Sequence, residues 1–382
     1  GHRFDVPGEE NVYDYQPRGV VAVIPPWNFP LAILTGMTSA ALVTGNTVVM
    51  KPASQSPVIA AQLMEILAEA GVPPGVANFL PGPGAEVGEA LVTHPLTAMI
   101  AFTGSRAVGT RIYSLAAEVQ PGQTHLKRVI AELGGKNAII VDSDADIDDA
   151  VLGTIVSAFG YQGQKCSACS RVIVLEDAYG PFLARLIEAA RSLPIGHPED
   201  PHHFMGPVIE QRAQERIRRV IAEGKSYATL ALEVDVRHLG EGWWVGPTLF
   251  TDVPPDSPLA REEIFGPVLC VFRVRTFAEA LALANDSIYA LTGGLYSRSP
   301  ARIEQAKREF RVGNLYINRK ITGAIVGRQP FGGFKMSGIG SKAGGPDYLL
   351  HFVEPRTVTE NTLRRGFAPQ EQTPSGSVGG EL

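Results

Sequence analysis

Cysteine is scarce in this chain: three residues (Cys166, Cys169 and Cys270) in 382. An odd and sparse count excludes a disulfide framework and points to reduced thiols in a cytoplasmic setting. Basic excess is also missing. With 34 Lys and Arg against 39 Asp and Glu, the net charge is −5, so no basic surface is available for a nucleic-acid backbone. No apolar run is long enough to span a bilayer, and no charged-then-apolar leader opens the chain, so neither a membrane nor an export signal is expected. The standard G-x-G-x-x-G dinucleotide fingerprint is absent as well: Gly104 and Gly109 do not supply it, and Gly82-Pro-Gly84 lacks the third glycine,. Any nucleotide binding must therefore be argued from other groups.

What is present is an alternation of short apolar strands with amphipathic helices. Val20–Ile24, Thr47–Met50, Ala98–Phe102, Val129–Ala131 and Ala138–Val141 read as buried strands,. Between Pro57 and Ala70, the residues Ile59, Leu63, Ile66 and Leu67 fall at helical spacing, with Gly71 as the stop,. A second series begins near Ile147, with helices expected at 147–159, 179–192, 208–222, 277–284 and 300–310. This β-α-β order predicts an α/β protein with parallel sheets and helices on both faces. About two domains are expected from the length.

Several segments carry chemistry. Cys166 lies in a Gly/Gln/Ser loop, Tyr161-Gln-Gly-Gln-Lys-Cys166-Ser167, where a thiolate could meet a substrate,. Taken alone, a buried inert cysteine is the commoner case. Asn28, in Pro25-Pro-Trp-Asn-Phe29-Pro, follows a strand and offers an amide donor suited to a developing oxyanion,. Lys51, before Ala53-Ser54, can reach ribose hydroxyls or phosphate. Phe102-Thr-Gly104-Ser105 ends a strand and opens a helix, a natural seat for a pyrophosphate. Glu132 precedes Gly134 and Gly135, which allow close backbone approach, and a glutamate there could activate a water. Glu262-Glu263-Ile-Phe265 offers a carboxylate for hydroxyls and an aromatic for a flat ring. Two other patterns are weaker. Asp142, Asp144 and Asp146 imitate a calcium loop, but lack its glycine and closing glutamate, so they are expected to cap the next helix. Cys166-Ser-Ala-Cys169 has a C-x-x-C spacing without a second ligand pair.

In this order, from about Tyr15 to Phe352, these segments resemble the NAD(P)-dependent aldehyde dehydrogenase superfamily. Asn318 to Gly327, Gln329-Pro-Phe331-Gly-Gly-Phe334 and Lys342 to Tyr348 are similar to the subfamily of delta-1-pyrroline-5-carboxylate (L-glutamate gamma-semialdehyde) dehydrogenases. The resemblance implies a Rossmann-type parallel-sheet cofactor domain, an α/β catalytic domain and a small oligomerisation flap. The expected divisions are 1–18 (edge strand), 19–143 (cofactor), 144–340 (catalytic), 341–367 (return and oligomerisation strand) and 368–382 (disordered tail).

The resemblance also implies roles. Cys166 is the nucleophile, with Asn28 and the Cys166 backbone N–H as oxyanion hole and Glu132 as base for thioester hydrolysis. Lys51 and Glu263 would hold cofactor ribose. Ser105, on the turn with Gly104, would meet the pyrophosphate, and Phe265 would face a flat ring. Ser167 and the Gly323 and Ala324 backbone N–H groups would hold the α-carboxylate of the substrate. Phe29 and Phe331 would line its aliphatic chain. NAD is the implied cofactor, with NADP tolerated because neutral Ser54 stands where many NAD-preferring relatives carry a glutamate. The implied substrate is L-glutamate gamma-semialdehyde, from proline catabolism; another semialdehyde, or an inactive protein of the same fold, is the alternative reading. A homodimer or higher homo-oligomer, and a proline dehydrogenase partner or fusion, are expected. Relatives carry a helical portion ahead of the first strand; without it the chain is expected to be less stable and to expose an apolar face.

Overall fold

The computed structural model describes residues 1–363; the expected tail at 368–382 lies outside them. Two parallel-dominated sheets form the body. The first has six strands, in the order Gly338–Ile339, Arg128–Glu132, Thr97–Thr103, Val20–Ile24, Thr47–Met50 and Ala77–Phe79, parallel except for the antiparallel edge Gly338–Ile339. The second has seven, in the order Thr229–Glu233, Thr248–Thr251, Val268–Val274, Cys169–Leu175, Asn137–Val141, Thr292–Tyr296 and Asn314–Ile317, with only Thr229–Glu233 antiparallel.

Successive strand residues point to opposite faces, and here both faces are covered. Val21 and Val23 pack with Leu34, Met37 and Leu63 on one side of the first sheet. Ala22 and Ile24 pack with Leu91, Val92 and Ile112 on the other. In the second sheet, Ile140 and Ile173 join Phe250 and Leu281, while Ile139 and Val172 face Ala150, Phe159 and Phe182. Strands buried on both faces read as continuous apolar runs, as they do in the sequence.

A third, antiparallel sheet joins Glu9–Pro17 to Val353–Asn361 along their full lengths, with His2–Arg3 on the far side of Glu9–Pro17. Val353–Asn361 is thus an edge strand of that ribbon.

Two divisions differ from the sequence reading. Asn137–Val141 pairs with Cys169–Leu175 and Thr292–Tyr296, so the chain changes sheets at Leu133–Lys136 rather than at residue 143. Hydrophobicity cannot reveal this, because strands of both sheets are equally apolar. The return to the first sheet begins with Gly338–Ile339, which pairs with Ala131 and Glu132, slightly ahead of the expected 341. The helix expected at 208–222 is Gln211–Gly224. Of the three aspartates, Asp146 alone caps its helix, accepting from the Asp148 and Asp149 N–H groups at 3.2 Å. Asp142 and Asp144 instead accept the Ser297 hydroxyl at 2.8 and 3.0 Å.

Candidate active site

Four neighbouring parallel strands of the first sheet end in candidate residues. Val20–Ile24 leads into Trp27, Asn28 and Phe29; Thr47–Met50 into Lys51; Thr97–Thr103 into Gly104 and Ser105; Arg128–Glu132 ends on Glu132. The carboxyl edge of a parallel sheet is where α/β proteins bind ligands.

The Cys166 loop leads into Cys169–Leu175 of the second sheet and is held by buried amides. Tyr161, Gln162 and Gly163 have φ of 60°, 57° and 65°, a left-handed turn that costs energy at the two non-glycine positions. A side chain at Gly163 would collide with the Gly266 carbonyl. Asn137 Nδ2 donates to the carbonyls of Cys166 (2.7 Å) and Ala168 (2.8 Å), while its Oδ1 accepts the Thr292 N–H. Asn28 is buried, and its Nδ2 donates to the Gln164 carbonyl at 2.9 Å. A side-chain amide has two N–H bonds, so one fixes Asn28 against the loop and the second is left for a ligand.

Cys166 is shared by two cavities. A cleft of about 330 Å³ is lined by Trp27, Asn28, Thr103, Gly104, Ser105, Gly134, Glu263 and Phe265. A larger, mainly apolar cavity of about 660 Å³ is lined by Met37, Glu132, Ala324, Phe331, Ser341 and Tyr348, among others. Each ends on the same sulfur.

The cleft's lining suits a dinucleotide. Ser105 caps the helix Arg106–Ala117 by accepting the Val108 N–H, so free backbone N–H groups and the positive dipole end open on the cleft. At the other end, Glu263 Oε1 accepts the Gly135 N–H at 3.0 Å. A Cβ at Gly134 would lie 2.0 Å from Glu263 Oε2, so only glycine admits the carboxylate there. Phe265 packs edge-on against Trp27, with ring centres 5.7 Å apart. Burial raises the Glu263 pKa, opposed by the Gly135 N–H and by Lys136.

Glu132 is in the other cavity. Its Oε2 is sealed from solvent with no hydrogen-bond partner. Burial pushes its pKa up to about 8, with the Lys342 ammonium opposing. Burial, then the Glu263 and Glu132 carboxylates, push the Cys166 thiol up to about 12, while the Ser167 and Cys166 backbone N–H groups pull it down.

Not every expected residue reaches these cavities. Lys51 is buried beside the cleft but outside its lining, donating to the Pro52 carbonyl at 2.7 Å; burial lowers its pKa. Ser54 is on an exposed turn. Phe29 stacks on Tyr161 at 5.6 Å instead of lining the large cavity. Ser167 is buried behind Cys166, and Gly323, with φ of 80°, precedes the lining residue Ala324. Asn137 and Lys342 escaped assignment from sequence. An asparagine directly after Gly-Gly-Lys at a strand start was the available signal for the first.

The model of the aldehyde dehydrogenase family matches residues 1–358. The 1-pyrroline-5-carboxylate dehydrogenase of Geobacillus thermodenitrificans is 54% identical over 354 residues, 93% of this chain and 68% of the relative. The enzyme named 1-pyrroline-5-carboxylate dehydrogenase 2 of Bacillus subtilis is 54% identical over 92% of the chain and 68% of its own length. Among solved structures, a Thermus 1-pyrroline-5-carboxylate dehydrogenase with bound NAD superposes with a TM-score of 0.91 at 52% identity, covering 94% of this chain and 69% of that one. Proline utilization A of Bdellovibrio bacteriovorus gives 0.92 at 60% identity; the match covers 96% of this chain but only 38% of that one. With a family match across nearly its whole length and two cavities meeting at one cysteine, this chain belongs to the aldehyde dehydrogenase family.

Proposed function

We propose that this protein oxidises L-glutamate gamma-semialdehyde to L-glutamate with NAD, through a thioester on Cys166. The observation that carries the reading is the position of Cys166, where a cleft lined by Ser105 and Glu263 meets a separate cavity holding a buried carboxylate. The names of its relatives supply the substrate.

NAD bound in the cleft supplies the acceptor for hydride. The helix N-terminus at Ser105 would hold its pyrophosphate, and Glu263, fixed by the Gly135 N–H, would accept ribose hydroxyls. Lys51, which donates to the Pro52 carbonyl, is assigned with Glu263 to cofactor ribose. Phe265 supports the nicotinamide side. Ser54 carries no charge to repel a 2′-phosphate, which supports tolerance of NADP.

The Cys166 proton passes to solvent water as the sulfur bonds to the aldehyde carbon, and the π pair of the carbonyl moves onto its oxygen. The carbonyl oxygen becomes an oxyanion, held by the free Asn28 N–H and the Cys166 backbone N–H. Hydride leaves the same carbon, and a thioester remains on Cys166. Glu132 then takes a proton from water, whose oxygen attacks the thioester carbon. The sulfur–carbon bond breaks, and glutamate leaves as the sulfur is reprotonated. A carboxyl with a pKa near 8 is poised to accept and return a proton near neutrality. Ser167, Gly323 and Ala324 are assigned to the substrate α-carboxylate, Phe331 to its methylenes, and Phe29 to support of the loop through Tyr161.

The Val353–Asn361 edge supports self-association by sheet extension, and the likeness to proline utilization A supports a proline dehydrogenase partner or fusion. The functional test is a nicotinamide-absorbance assay comparing glutamate semialdehyde with succinic semialdehyde and simple aliphatic aldehydes. Preference for glutamate semialdehyde is expected; preference for an unsubstituted aldehyde overturns the substrate assignment.

A further inference from the structure

The large cavity is closed on one side by the turn at residues 341–345, and that turn hangs from a histidine outside the cavity. Ser341, Ala343, Gly344 and Gly345 line the cavity; His351 does not. The Ser341 backbone N–H donates to His351 Nε2 at 2.6 Å, and the Ser341 hydroxyl lies 2.7 Å from the same nitrogen. That hydroxyl donates to the Asp347 carbonyl at 3.1 Å. The Arg128 guanidinium lies 3.0 Å from Nδ1. A backbone N–H only donates, so Nε2 is the acceptor that holds Ser341.

The same histidine belongs to the base of the terminal ribbon. Its carbonyl accepts from Arg18 Nε at 2.7 Å, and Arg18 pairs with Glu354 on the ribbon strand. On the cavity side, Ala343 and Phe331 exchange both backbone hydrogen bonds, at 2.7 and 2.9 Å. The Gly344 carbonyl accepts the Gly327 N–H. A continuous set of hydrogen bonds therefore runs from the ribbon base through His351 and the 341–345 turn to Phe331.

We propose that His351 is a positioning residue for aldehyde oxidation, locking the 341–345 turn so that Phe331 and the cavity wall keep the shape that receives the substrate. The proposal rests on the functional reading above. The groups facing the ring are Arg128 from the adjoining strand, Arg18 with its partner Glu354, Tyr348 at 6.1 Å between ring centres, and Ser341. Both arginines oppose a second proton on the ring, as does burial. Acid that protonates Nε2 takes away the acceptor of the Ser341 N–H and loosens the lock.

The test compares wild type, His351→Ala, His351→Gln and Ser341→Ala. Gln keeps a polar atom at the position of Nε2. His351→Ala is expected to raise KM for the semialdehyde about tenfold, with kcat changed less and with NAD affinity, read by nicotinamide fluorescence, unchanged. His351→Gln should recover much of that loss. The rise of wild-type KM at acid pH should be flattened in His351→Gln. Hydrogen exchange of the peptide covering 341–345 provides a readout independent of substrate. Exchange should accelerate in His351→Ala and, more weakly, in Ser341→Ala. If wild type ignores the semialdehyde yet exchange accelerates, the substrate assignment falls and the lock stands. Unchanged KM and exchange in His351→Ala, or equal losses of kcat and NAD affinity, overturn the lock. Should His351→Ala fail to fold, the Gln and Ser341→Ala variants decide by the same measurements.

Discussion

Glu132 and Glu263 approach one sulfur from opposite cavities, and the fold treats them differently. Both are raised in pKa by burial, and both raise that of Cys166. Glu263, however, is clamped: its Oε1 takes the Gly135 N–H, and it occupies space that only a glycine at position 134 leaves open. Glu132 has an oxygen with no partner at all. An orphaned buried oxygen is expensive, so its retention suits a group that must change its proton and its contacts during turnover. A clamped carboxylate suits a fixed acceptor. The contrast separates a residue that reacts from one that holds, within a few side chains of the same thiol.

The hardest way to break the comparison is to remove the sulfur both groups face. Cys166→Ala should lower aldehyde oxidation by about 10⁴-fold or more while NAD still binds, measured by steady-state kinetics beside a fluorescence titration. Retained turnover removes the nucleophile assignment. Next comes the reacting carboxylate. Glu132→Gln should permit one burst of reduced nicotinamide and then slow by about 10²–10⁴-fold, with the acyl group caught on Cys166 by mass spectrometry. A steady rate near wild type assigns deacylation to another group.

Much of this arrangement was legible in the sequence, for uneven reasons. The buried strands showed because each is apolar on both faces; Cys166, Asn28, Glu132 and Glu263 stand in loops after strands or beside glycines, but each pattern alone fits an ordinary structural residue as well, and the family resemblance singled them out. The helix Ala32–Val43, which lines the large cavity, did not. It carries Gly36, Thr35 and Thr38, poor helix formers, and its residues are apolar on nearly every face, so no amphipathic period emerges. The change of sheet at Leu133–Lys136 was hidden because strand-to-sheet membership is a tertiary fact. Asn137 and His351 act through backbone groups far along the chain, and such partners leave no local pattern.

The clamp can be broken without touching any charge. Gly134→Ala drives a methyl into Glu263 Oε2, and overpacking of this kind costs about 1–3 kcal/mol. The carboxylate should swing away from the ribose position and raise KM for NAD about tenfold, as Glu263→Gln should through loss of a charge-assisted hydrogen bond. KM for the aldehyde should move little in either variant. If both Michaelis constants rise together, Glu263 serves the whole site rather than the cofactor alone.

The smallest effect concerns stability. Glu132 has a pKa raised from the ordinary 4.5 to about 8 in the folded state, so the folded protein binds this proton more tightly than the unfolded chain does. Where the folded state holds more protons, stability falls as pH rises. The contribution of Glu132 is therefore fully present below its unfolded pKa and is lost progressively as pH climbs through about 8. Other groups titrate over the same range, so the informative quantity is the difference between wild type and Glu132→Gln, whose amide is neutral throughout. Lys342 opposes the shift but does not reverse it. Tm of wild type should drop relative to the variant between mildly acid and mildly alkaline pH, by a few degrees. A parallel pair of Tm curves means that Glu132 is charged in the resting site, and the contrast with Glu263 is then one of geometry alone.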